Sequence, residues 1–140
     1  MEDMKDIMKL MEKDLYARCN GVVLKEIGEG FAVAEMTITD NHLNGAGIVQ
    51  GGALFTLADL CFAAASNSYG DLAVTLDANI NFIKGVSSGT LTAKASEIYR
   101  RRTIALYRVV ITNEEDDLIA VFQSTAYIKR GTVSDTLLSK

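Results

Sequence analysis

Asp59 is the one charged residue between Gly51 and Asn67, a stretch otherwise made of apolar and small side chains. Burying an unpaired carboxylate costs several kcal/mol, which a marginally stable domain does not carry idly. Perturbed carboxylates cluster where chemistry is done, so Asp59 is the first candidate for a catalytic base or nucleophile. The structural alternative is an Asp59 that faces solvent at a helix edge, or one satisfied by a hydroxyl such as that of Thr56. Gly51-Gly52 opens the same stretch. Two glycines at a helix start leave backbone N–H groups uncovered, and the helix dipole adds partial positive charge there. Such a terminus can hold a carbonyl oxygen as it gains negative charge, and one donor of this kind is worth on the order of 2.7–4 kcal/mol. Glycines also serve tight turns and close helix packing, so the pair is informative only beside Asp59.

Spacing then constrains the chemistry. Asp59 follows Gly51 by eight residues, which is about 12 Å on one straight helix. A base and an oxyanion donor must both lie about 3 Å from one reacting carbon. One helix cannot arrange this, whereas two antiparallel copies can, with Asp59 of one chain facing Gly51 of the other. If both features act, the working unit is at least a two-fold dimer with two equivalent sites.

The elements that must position these residues can be read from periodicity. Met4, Ile7, Met8, Met11 and Leu15 recur at spacings of three and four, marking an amphipathic first helix. Strands are predicted over Val22 to Ile27 and Phe31 to Ile38, with Gly28 to Gly30 as the turn. Asp40 to Gly47 is rich in turn formers, and Gly51 to about Asn67 reads as a helix buried on every side. From Val74 the period changes to two: Val74, Leu76, Ala78, Ile80 and Phe82 alternate with polar residues. Further strands are predicted over Thr90 to Tyr99, Thr103 to Thr112 and Leu118 to Ile128, with Glu114 to Asp117 as the last hairpin turn. Grouped strands with nothing helical among the last four imply an antiparallel α+β domain. One apolar helix beside so much strand predicts a sheet curled around that helix.

Composition narrows the function classes. The 140 residues suit a single domain, 49% hydrophobic and 23% charged, which excludes a disordered tail, a collagen-like fibre and a disulfide scaffold. The net charge of −4 is opposite in sign to that of a general nucleic-acid binder. Cys19 and Cys61 form no CxxC pair, and a lone His42 cannot build a histidine metal site. His42, flanked by turn residues, is expected at the surface, and Cys61 in the apolar helix is expected to behave as a small hydrophobe. Met1 to Ile7 is charged where a signal peptide would be apolar, and no stretch approaches the ~20 apolar residues of a membrane span. A cytoplasmic protein with reduced thiols is the expectation.

The run Asn41-His-Leu-Asn-Gly-Ala-Gly-Ile-Val-Gln-Gly-Gly-Ala-Leu-Phe-Thr-Leu-Ala-Asp59 resembles the signature of hotdog-fold acyl-CoA thioesterases of the phenylacetic-acid-degradation type. That signature is an Asn, a Gly three on, then His-Gly-Gly and Leu-Ala-Asp. Ala73 to Phe82 and Ala120 to Tyr127 are similar to the family's later strands, so the resemblance covers about residues 20–130 of a single domain spanning 1–140. It implies an antiparallel sheet wrapped around one long helix, with an N-terminal helix in addition. It implies hydrolysis of acyl-CoA to free acid and coenzyme A without metal or redox cofactor. Asp59 would then act as general base on water or attack the thioester directly, and Gly51 would polarise its carbonyl. Asn44 would place water or substrate, although Asn-Gly is also ordinary turn chemistry. Gly52 and Thr75 would lie against the substrate, although Thr75 reads more readily as a plain strand residue.

Two positions depart from the signature. Gln50 stands where the family has His, and Gln donates and accepts hydrogen bonds without changing protonation near neutral pH. An orienting role survives that exchange, because a thiolate leaves without needing a general acid. Lys84-Gly85 stands where a basic residue and a proline are usual. Coenzyme A carries phosphates, for which Lys84, Arg100, Arg101 and Arg102 are the candidate cations, though charges at turns are commonly just solvated. A dimer follows from the spacing argument; a tetramer follows only from the family habit. Two alternatives stay open: a non-catalytic acyl-CoA binding protein, kept alive by Gln50, and a hotdog hydratase or dehydratase, disfavoured because the only His is poorly placed.

Overall fold

The computed structural model of the chain describes residues 4–138. Met1, Glu2 and Asp3 of the charged N-terminus, and residues 139–140, lie outside the described residues.

The amphipathic stripe at the N-terminus forms helix α1, Met4–Glu12, with Ile7 and Met11 buried. It ends sooner than its periodicity predicts. The Asp14 carboxylate accepts the Ala17 N–H at 3.0 Å and caps a separate short helix, α2, Leu15–Cys19. An Asp at such a position competes with helix continuation by offering its own acceptor. Leu15, expected on the buried stripe, is therefore 71% exposed, and α2 sends Ala17 into the core instead.

Six strands follow: β1 Val22–Gly28, β2 Phe31–Thr37, β3 Asp71–Phe82, β4 Thr90–Arg100, β5 Ile104–Thr112 and β6 Leu118–Thr132. They form one antiparallel sheet in the order β1-β2-β4-β5-β6-β3. Helix α3, Gly51–Ser66, lies between β2 and β3 in the chain and touches every strand. The sheet therefore curls around it, as expected. Small side chains make this possible. Ala32, Ala34, Ala93, Ala95, Ala105 and Ala126 are buried on the inner face and let the helix approach closely. Phe62 of α3 meets Tyr107 edge-on, ring centroids 5.7 Å apart, and fills the gap between helix and sheet.

Two departures from the expected pattern concern the elements around Asp59. The expected single face of Val74, Leu76, Ala78, Ile80 and Phe82 is interrupted by a bulge at Leu76, where Thr75 pairs with Ala126 but Asp77 pairs with Thr125. Directly paired residues share a sheet face, so Ala78, Ile80 and Phe82 lie on the helix side while Val74, opposite Tyr127, lies on the outer side. The same bulge puts Thr75 on the helix side, opposite buried Ala126. Nor is α3 covered all round by its own sheet. Gly52 and Phe55 are exposed and Thr56, Asp59 and Ala63 only partly buried, a stripe at helical spacing along one face. The described residues end in a short helix unanticipated from periodicity, α4 Val133–Leu138, which is tied to α1 by Ser134 donating to Asp6 at 2.8 Å.

Candidate active site

The start of α3 has three early N–H groups to satisfy, and two are taken. Gln50 is the N-cap residue, with extended backbone at φ −68° and ψ 138°, and its Oε1 accepts the Gly52 N–H at 2.7 Å. The Ala53 N–H reaches the Gln50 carbonyl at 2.9 Å. Among the described residues nothing accepts the Gly51 N–H, so one donor at the positive end of a sixteen-residue helix stays open. Gln50 thus has a role that its mismatch with the family signature obscured: it closes the Gly52 donor, expected to face substrate, and leaves that of Gly51. A side chain at either glycine would meet the far end of a neighbouring side chain, which would have to shift. A Cβ at Gly51 would stand 2.8 Å from Phe82 Cζ, and one at Gly52 would stand 2.6 Å from Gln50 Oε1.

The open donor lies in a cleft of about 300 Å³ lined by Asn44, Ile48, Gly51, Leu54, Phe82 and Lys84, among others. Asn44 Oδ1 accepts the N–H groups of Ala46 at 2.9 Å and Ile48 at 3.3 Å, holding the loop as an Asn turn. Its oxygen is occupied by this turn, and the residue still lines the cleft. Lys84 Nζ is 2.7 Å from the Asp117 carboxylate at the rim, both side chains exposed. Asp117 raises the Lys84 pKa, first by the hydrogen bond and then by its charge, and Lys84 lowers that of Asp117 in the same way.

Asp59 lies outside this cleft. It is partly buried, and among the described residues no hydrogen bond or ion pair engages it. Burial pushes its pKa above the ordinary 3.8, and the negative charge of Asp14 pushes it further in the same direction. The alternative that Thr56 satisfies Asp59 fails, since the Thr56 hydroxyl donates to the Gly52 carbonyl at 2.8 Å. A single chain therefore brings Asn44, Gly51 and Lys84 together and leaves Asp59 and exposed Thr75 apart from them.

The arginine run divides. Arg100 turns inward at the C-terminal end of α3, where it donates to the Ser66 carbonyl at 3.4 Å and to Tyr107 Oη at 3.2 Å and covers the Tyr69 ring at 4.1 Å. With Asp71 at 3.7 Å as well, it has a structural role already. Arg101 and Arg102 stand exposed at the β4–β5 turn, without a side-chain partner among the described residues. His42, expected at the surface, is buried; both ring nitrogens are hydrogen-bonded, which the turn-rich sequence around it conceals. Cys61 is buried as expected, and its thiol donates to the Ala32 and Ala93 carbonyls at 3.3 and 3.4 Å. Among the described residues no cluster of His, Cys, Asp or Glu could hold a metal ion, and no described helix is long and apolar enough to cross a membrane.

A long helix wrapped by a six-stranded antiparallel sheet is the hotdog fold. The chain belongs to the thioesterase superfamily, whose profile matches residues 46–120, and is a hotdog-fold enzyme of the PaaI type. The acyl-coenzyme A thioesterase PaaI of Escherichia coli is 36% identical over 126 residues, covering 89% of this chain and 90% of that one. The solved structure of E. coli PaaI superposes with a TM-score of 0.88 over 91% of this chain and 94% of that one, at 34% identity. A Streptococcus mutans protein solved with bound acetyl-CoA is similar at a TM-score of 0.75 and 28% identity, covering 79% of this chain and 90% of that one.

Proposed function

We propose that this chain hydrolyses acyl-CoA thioesters to a free carboxylic acid and coenzyme A. Asp59 of one protomer takes a proton from water as the water oxygen attacks the thioester carbonyl. The carbonyl oxygen gains negative charge and is held by the Gly51 N–H of a second copy. When that tetrahedral species collapses, the C–S bond breaks and the thiolate leaves, so no general acid is needed. The raised pKa of Asp59 suits the task, since a base works best when its pKa approaches the working pH. A base, a donor and water complete the chemistry, and we assign it no metal or redox cofactor.

The observation that carries this reading is the Gly51 N–H, which nothing accepts among the described residues, left open by the Gln50 cap beside a cleft. The 12 Å rise between Gly51 and Asp59 on one continuous helix supports a site shared by two copies. So does the free edge of β3, where Leu76 and Phe82 are 57% and 56% exposed. Of the four candidate cations, Arg101 and Arg102 are left open to meet coenzyme A phosphates, while Lys84 and Arg100 already have ion-pair partners.

Replacing Gly51 with proline tests the donor directly. Proline lacks the N–H and is well tolerated at the first helical position, and the extended Gln50 backbone is what a residue before proline adopts. The added Cβ meets only the far end of the Phe82 side chain. Thiol release across a panel of acyl-CoAs is expected to fall about 10²–10³-fold in kcat, with the fold intact by circular dichroism. A folded Gly51→Pro protein with wild-type kcat overturns the assignment. Wild-type protein that binds acyl-CoA and releases no thiol establishes the carrier reading instead.

A further inference from the structure

His42 is only 6% exposed, inside a loop composed of turn formers. Nδ1 accepts the Thr39 N–H at 2.9 Å, which assigns the ring proton to Nε2, and Nε2 donates to the Asn20 carbonyl at 2.6 Å. Asn20 is the C-cap of α2, so the ring ties the short 3-10 turn Asp40–His42 to the N-terminal helices. The backbone of the same residue points the other way. The His42 carbonyl accepts the Gln50 N–H at 2.8 Å, one peptide ahead of the Gly51 donor. Beside it the Val49 N–H is held by the Val86 carbonyl at 2.8 Å, and Leu43 bridges to Val49. The peptide that carries the Gly51 N–H is thus held from two sides, by the Ala53 N–H of α3 on the Gln50 carbonyl and by a loop that an imidazole anchors to α2.

We propose that His42 is a positioning residue of the active site: it locks the 39–42 turn against α2 and so fixes the carbonyl that holds Gln50 and aims the Gly51 N–H. It touches neither substrate nor reacting atoms, and with Nδ1 committed as acceptor and Nε2 as donor it is not a proton carrier. This inference rests on the reading of Gly51 given above. A donor displaced by about 1 Å can lose on the order of 10²-fold in rate.

The test is a small set of variants in the full-length chain, assayed by steady-state thiol release. His42→Ala removes both contacts and is expected to lower kcat about 10–100-fold with KM little changed. His42→Asn keeps an acceptor near the Nδ1 position for the Thr39 N–H and is expected to recover most of that loss. Should His42→Ala fail to fold, His42→Gln takes its place, retaining reach to the Asn20 carbonyl without the Thr39 acceptor. In a Gly51→Pro background the His42 substitution is expected to add nothing, because the group it positions is gone. Two results overturn the proposal alone: wild-type kcat in folded His42 variants that merely melt earlier, or a full multiplicative loss on top of a damaged Gly51→Pro. Wild-type kcat in Gly51→Pro removes the reading beneath it and the proposal with it.

Discussion

A half-buried carboxylate beside apolar neighbours, which no hydrogen-bond donor engages among the described residues, is held in an unfavourable state by the rest of the fold. Asp59 sits between Ala58 and Leu60, both buried, and the charge of Asp14 adds to its desolvation. Both effects favour the protonated form, so its folded pKa lies above the unfolded 3.8. The sign of the linkage follows: between those two values the folded state binds the extra proton, and stability declines as pH rises through the folded pKa. Removing the charge relieves this. Asp59→Asn is therefore expected to raise Tm at neutral pH, with a gain that shrinks as pH falls towards 4, while lowering kcat by about 10²–10⁴-fold. Melting curves at several pH values, read beside thiol release, check both halves; a folded variant that loses neither activity nor the pH-dependent penalty shows an exposed, idle carboxylate. The opposed directions of stability and activity are what distinguish a functional charge from a structural one.

At the scale of elements, α3 has two unlike sides. The side against the sheet is fully closed: burial pushes the Cys61 thiol up to about 12, against weaker opposing hydrogen bonds to backbone. Cys19 is exposed at the end of α2. Alkylation of the native protein at pH 8 is accordingly expected to modify Cys19 only, with Cys61 reacting after denaturation; mass spectrometry of the native adduct decides it, and rapid double labelling shows that α3 separates from the sheet. This closed side was the legible one. The long apolar run from Gly51, the alternation through β4, β5 and β6, and the acidic turn before β6 are local patterns, and each appears where periodicity places it. What sequence concealed depends on contacts between distant segments. The Leu76 bulge is defined by pairing with β6, so Val74 and Thr75 exchange the faces that alternation assigns them. His42 is buried because backbone groups of Thr39 and Asn20 satisfy its two nitrogens, the latter from a different element. The break before Leu15 carried a visible signal, an Asp followed three residues later by the N–H it caps, outweighed by the longer apolar stripe.

At the scale of the whole molecule, the second side of α3 and the free edge of β3 belong to one problem. The opposite edge strand, β1, is interrupted by a bulge before Glu26 and packed by α1 and α2, the usual ways of blunting an edge. Strand β3 runs for twelve residues with exposed Leu76 and Phe82, a template for pairing with a second copy. The two-copy site proposed above requires pairing about a two-fold axis that sets the two α3 helices antiparallel, with Asp59 of each facing Gly51 of the other. A chain carrying Asp59→Asn and a chain carrying Gly51→Pro are each inactive as homodimers under this arrangement. Co-expressed, they form mixed dimers in which one site has both substitutions and the other has neither. With random pairing half the dimers are mixed and each has one working site of two, so about a quarter of wild-type activity is expected to return. Purifying the doubly tagged mixed dimer should raise that to about half, with wild-type KM at the surviving site. If Asp59 and Gly51 instead served the same protomer, each mixed dimer would contain two damaged sites and no activity would return, whatever the state of assembly.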